Sequence, residues 1–248
     1  MFRFKEELNE VNFFWWKKRM FEDLTWAGFP LASKAVLPVL AARVSRKGKD
    51  RGWTWPSEVT IAIETGISPK TVREGTKALE RLWDGFKIAR YMTTRGRRAK
   101  RYHLNLPSAN VKGKSFPFHG YIIESGQWQN LIPTAKALYP VMRCFGYFEY
   151  FEYMPDGHDP DFEFGKREYE FCLAEDHYLA KLSGIHLRSI KPALKSLEEN
   201  WLIEPADILT DDGYECGWKV FLKSKDGWIY NRDALNEKAF NLYGHPGK

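Results

Sequence analysis

The chain has 248 residues, 44% of them apolar and 16% aromatic, which is folded-protein composition and excludes disorder as the main state. Its net charge of +6 divides unevenly: residues 1–114 carry 24 Lys and Arg against 11 Asp and Glu, a net +13, whereas residues 115–248 carry 14 against 21, a net −7. Two domains of roughly 100 residues, each with its own core and facing different partners, are expected. No run approaches the about eighteen apolar residues of a membrane span, and the N-terminus lacks a secretory apolar core, so a cytoplasmic protein is expected.

In chain order, residues 6–26 predict an amphipathic helix with Leu8, Val11, Phe14, Trp15, Phe21 and Leu24 available for burial, so residues 1–27 are a helical flank. Val36, Leu37, Val39, Leu40 and Val44 give the next helix an apolar face, and Pro38 implies a late start or a kink in it. Ser57 is placed to cap a second helix that Gly66 ends in the left-handed conformation. Ser68, followed by Pro69 at the first helical position, starts a third helix to residue 83. Val72, Ala78, Leu79 and Leu82 share its inner face, and Lys70, Arg73, Glu74 and Lys77 point outward. A hairpin with a basic tip follows, formed by 86–92 and 102–106, and residues 107–115 read as a linker.

Much of this recurs. Residues 33–40 align with 135–142 at an offset of 102, and 61–67 with 179–185 at an offset of 118, leaving sixteen extra residues in the second copy. Thr71-Val72 then matches Ser189-Ile190, and residues 77–80 match 195–198. The fold class expected is α+β, mainly helical: a basic module over 28–106, and an acidic module over 116–222 with an insertion near 147–169. A tail over 223–248 has one short helix.

The stretch WPSEVTIAIETGISPKTVREGTKALERL resembles the winged helix-turn-helix superfamily, in the form common to phage and plasmid replication proteins and bacterial regulators. The resemblance covers 33–106 well and 133–222 more loosely. It implies two tandem winged helix-turn-helix domains related by duplication, with 68–83 as recognition helix and 93–101 as wing. Ser68, Lys70, Thr71, Arg73 and Lys77 then become helix contacts to double-stranded DNA, and Arg95, Arg97, Arg98, Lys100 and Arg101 wing contacts to backbone or minor groove. Arg73 is the first choice for reading a base, because its planar fork matches both acceptors of guanine.

The second module departs from this pattern. Its turn reads Thr210-Asp211-Asp212-Gly213-Tyr214-Glu215, its insertion is acidic, and Pro192 inside its third helix, 186–200, should bend that helix. It is assigned to dimerisation or to a replication or transcription protein partner, with Arg188, Lys191 and Lys195 as subordinate DNA contacts.

Chemistry is sparse. Cys144, Cys172 and Cys216 form no CxxC pair, the six histidines are scattered, and HExxH, GxxxxGK[ST] and GxSxG are absent. The acidic stretch 156–161 fits no EF-hand order and reads as a solvated loop. No enzyme activity, metal or cofactor is expected. Three readings remain: a replication initiator, a winged-helix transcriptional regulator, and an adaptor that binds only proteins.

Overall fold

In the computed structural model, described for residues 13–46, 48–94, 96, 98–107, 114–146, 169–210 and 213–222, the aromatic run Phe13-Phe14-Trp15-Trp16 is extended. It forms β1 (Phe13–Lys17), whose Phe14 and Trp16 are buried while Phe13 and Trp15 are only partly so. Two one-turn helices follow, α1 (Arg19–Glu22) and α2 (Thr25–Gly28). The single helix expected over 6–26, and with it the helical flank over 1–27, is therefore corrected within 13–28; the bulky aromatics alternate inward and outward, a period that suits a strand.

The rest of the first half is α3 (Leu31–Ala42), β2 (Trp53–Thr54), α4 (Glu58–Thr65), α5 (Pro69–Leu82), β3 (Phe86–Met92) and β4 (Arg98–Leu104), with a sheet in the order β2-β4-β3. α3 starts at Leu31 and runs on through Pro38, so no late start occurs. Its Ser33 Oγ donates to the Gly75 carbonyl at 2.8 Å where α3 meets α5. Val72 and Leu79 of α5 are buried against this core; Leu82, at the helix end, is exposed.

The second half repeats the order: β5 (Ser115–His119), α6 (Tyr121–Glu124), α7 (Gln127–Asn130), α8 (Pro133–Cys144), β6 (Tyr169–Cys172), α9 (Asp176–Ser183), α10 (Ile190–Glu199), β7 (Ile203–Thr210) and β8 (Gly213–Phe221). Its sheet runs β6-β8-β7. Ser115, expected in the linker, is buried in β5. Most of the predicted insertion and all of the predicted C-terminal helix lie outside the described residues.

The halves share one continuous apolar core instead of two. β1 and β5 pair antiparallel from Phe13 opposite His119 to Lys17 opposite Ser115. Around that ribbon Phe14, Trp16, Phe21, Trp26, Phe116 and Phe118 pack with ring centroids 5.2 to 6.2 Å apart. The ties across the boundary are reciprocal. Trp26 Nε1 donates to the Ala137 carbonyl at 2.9 Å, and Trp128 Nε1 to the Ala35 carbonyl at 2.9 Å. Inside each half a buried lysine holds the matching loop: Lys34 Nζ donates to the Ala27 carbonyl at 3.0 Å, and Lys136 Nζ to the Gln129 carbonyl at 3.4 Å and to that of Leu131. Across the boundary, Gly66 lies against the Gln129 carbonyl and Gly184 against the Ala27 carbonyl. The equivalent residues of the pairs Trp26/Trp128, Ala35/Ala137, Lys34/Lys136 and Ala27/Gln129 all stand 102 apart.

Candidate nucleic-acid interface

α5 is capped as its sequence predicts: Ser68 Oγ accepts from Thr71 N at 3.1 Å, the Ser68 and Thr71 hydroxyls lie 2.9 Å apart, and Pro69 occupies the first turn. Ser57 caps α4 in the same way, accepting from Thr60 N at 3.0 Å, and Gly66 between the helices has φ +67°. This holds α5 with Lys70, Arg73 and Lys77 exposed at positions three and four apart, hence along one helix face.

The β3–β4 hairpin brings further cations beside α5. Its register runs from Phe86 opposite Leu104 to Met92 opposite Arg98. Side chains alternate along β4, so the expected hairpin group divides between two faces. Lys100, on the side of the buried Tyr102 and Leu104, reaches α4; Arg98 shares its parity and is exposed. Arg101 lies on the opposite face, with its guanidinium carbon 4.2 Å from the Trp53 ring centroid. Arg95 and Arg97 are outside the described residues.

One carboxylate joins these elements. Glu58, the first residue of α4, accepts at Oε2 from Arg73 Nε at 3.2 Å and Nη2 at 2.9 Å, and at Oε1 from Lys100 Nζ at 2.6 Å. Burial pushes the Glu58 carboxyl pKa upward, but the hydrogen bonds and charges of Arg73 and Lys100 outweigh it and hold the carboxyl below its ordinary range. The bond to Glu58 raises the pKa of Arg73. Sequence reasoning missed Glu58, because an acid in the first turn of a helix is already explained by the helix dipole.

In the second half, Arg188, Lys191 and Lys195 are all exposed. Arg188 lies in a 3₁₀ turn, Leu187–Ser189, and the α-helix begins only at Ile190. Pro192 therefore sits in the first turn of α10, where a backbone N–H has no intrahelical partner to lose, so the predicted reason for a bend disappears. Lys195 pairs with Glu199 at 3.7 Å, and Arg188 and Lys191 line a depression shared with Glu175 and Asp176. At the β7–β8 turn Tyr214 and Glu215 are exposed, while Asp211 and Asp212 lie outside the described residues.

Among the described residues no group of three or more His, Cys, Asp or Glu is arranged to hold a metal ion, and no helix is long and apolar enough to cross a membrane. The acidic stretch 156–161 lies outside them.

No protein-family model and no curated protein matches the sequence. Among solved structures, the chain is similar to a Pi initiator protein in complex with iteron DNA, with a TM-score of 0.51 and 12% identity over 88% of this chain and 100% of that one. At that identity the likeness is one of fold: an α+β fold of the kind found in that initiator protein.

Proposed function

We propose that the chain is a sequence-specific double-stranded DNA-binding protein of the replication-initiator type, built from two winged-helix modules that arose by duplication. The observation that carries this reading is the meeting of two sets of cations on one side of the first half: Lys70, Arg73 and Lys77 of α5, and Arg98 and Lys100 of β4. In this reading α5 enters the major groove and the β3–β4 hairpin follows the backbone through Arg98 and its tip, while Lys100 is held by Glu58. Thr71 and the Ser68 cap lie at the helix end that meets phosphate. Arg101, on the far face of the hairpin, is reassigned to bracing Trp53. Arg95 and Arg97 keep their tip role from the sequence.

The fold likeness to an initiator solved on iteron DNA supports the choice of ligand. The shared offset of 102 and the reciprocal bonds of Trp26 and Trp128 support duplication. The second module serves dimerisation or a protein partner, with a subordinate DNA contact at Arg188 and Lys191, cations tempered by Glu175 and Asp176. The protein acts by binding, without a catalytic step.

The test is selection of bound sites from random duplex DNA by the full chain. Enrichment of one motif, found repeated in the DNA that carries the gene, is expected of an initiator. A single palindrome over a promoter turns the reading to a transcriptional regulator, and no enrichment at all turns it to an adaptor.

A further inference from the structure

An acid at the centre of a phosphate-binding surface works against affinity, since it repels the backbone that every neighbouring cation attracts. Glu58 is such an acid. It is held between α5 and β4 by side chains 15 and 42 residues away in sequence. Stability gives it little reason to be there: the Arg73 side chain is 51% exposed and that of Glu58 21%, and ion pairs at such exposure contribute little.

The bonding pattern suggests another role. A guanidinium has five N–H donors. Glu58 Oε2 engages the Nε edge of Arg73, taking donors from Nε and Nη2. That leaves both protons of Nη1 and one of Nη2, so the terminal edge of the fork still has the two parallel donors that fit O6 and N7 of guanine. An arginine pinned along its Nε edge has few rotamers left with which to reach a neighbouring phosphate instead. The other carboxylate oxygen occupies Lys100, which otherwise makes a sequence-independent phosphate contact.

We infer that Glu58 is a specificity-determining positioning residue, which presents the terminal edge of Arg73 to a guanine in the major groove and withholds Lys100 from the phosphates. The inference rests on the DNA-binding reading above and adds to it the residue that trades affinity for discrimination. The carboxylate stays in place when DNA binds; it buttresses Arg73 and does not itself touch a base.

Three variants of the full chain separate positioning from charge. Glu58→Asp keeps the charge and shortens the reach, Glu58→Gln keeps the shape and loses the charge, and Arg73→Ala marks the base position that Arg73 reads. Each is run against a random duplex pool, with salt titrations on the selected and on an unrelated duplex. A urea midpoint equal to that of the wild type confirms that each is folded.

Discrimination at the base position that Arg73→Ala erases is expected to fall on the order of tenfold in both Glu58 variants, with the other positions unchanged. The slope of log affinity against log salt on the unrelated duplex is expected to stay at the wild-type value for Glu58→Asp. For Glu58→Gln it steepens by about 0.9, the signature of Lys100 neutralising one further phosphate. If both Glu58 variants keep wild-type discrimination at that position, or shift affinity for all sequences alike, Glu58 is a charge or a brace only and the inference falls while the DNA-binding reading stands. If the wild type itself enriches no sequence and binds no duplex, the DNA-binding reading fails first and takes the inference with it.

Discussion

Replacing Gly66 or Gly184 by alanine tests whether the two halves are locked together as described. Gly66 has φ +67° and Gly184 φ +64°, so an alanine at either costs about 1–2 kcal/mol for the left-handed backbone. A Cβ at Gly66 would also lie closer than 3.0 Å to the Gln129 carbonyl, and one at Gly184 closer than 3.0 Å to three backbone atoms of Ala27. Backbone in the opposite half cannot swing aside as a side chain can, and overpacking of this kind adds about 1–3 kcal/mol. The totals are about 2–5 kcal/mol at each site. Gly48, with φ +66° and nothing within 4 Å of its notional Cβ, supplies the control at about 1–2 kcal/mol. Urea unfolding of the full chain, comparing midpoints at constant slope, gives the difference. Equal losses for Gly48→Ala, Gly66→Ala and Gly184→Ala would refute the interlocked boundary.

Three other outcomes follow from the same features. Arg97→Ala with Arg98→Ala should weaken binding to all duplexes alike and reduce the salt slope by about 0.9 for each phosphate no longer neutralised; unchanged slopes would remove the hairpin tip from the interface. A chain cut to residues 1–110 deprives β1 of its partner strand and Trp26 of its acceptor, so it should self-associate or lose cooperative unfolding, whereas a monomer that unfolds cooperatively in sedimentation and urea experiments would contradict the shared core. Burial lowers Lys34 to about 8 and Lys136 to about 7. Between about pH 7 and 9 the unfolded chain, with lysines near their ordinary value of about 10.4, then binds more protons than the folded one, and stability should rise with pH. Above that range Cys144 and Cys172, pushed up to about 12 and about 11 by burial, act in the opposite sense. Lys136→Met should flatten the rise, as read from urea midpoints across the window.

The capped pair α4 and α5 was legible because its signals are local: Ser57 and Ser68 as caps, Pro69 after the second, and Gly66 between the helices. The strand β1 was not, because Phe14, Trp15, Phe21 and Leu24 also satisfy a helical spacing, and only pairing with the distant Ser115–His119 decides against it. Similar residues recur in the sequence from residue 33 onward, and Trp26 and Trp128, like Phe13 and Ser115 at the starts of β1 and β5, also stand 102 apart. Those residues are what bind the halves into one core, and without them the sequence points to two. At the interface the cations of α5 could be read from spacing. The division of the hairpin into a Lys100 face and an Arg101 face depends on register, and the role of Glu58 depends on three elements meeting in space.

The central claim, that the first half reads DNA through α5, is tested most directly by comparing two triple variants of the full chain on its selected duplex across a salt series. Alanine at Lys70, Arg73 and Lys77 should abolish sequence preference and lower the salt slope by as much as about 2.7, at about 0.9 for each contact. Alanine at Arg188, Lys191 and Lys195 should leave the same preference in place and weaken binding by less than about tenfold, as expected of a subordinate contact. Sequence preference that survives the first triple substitution and vanishes with the second would contradict the claim and place the reading helix in the other half of the chain.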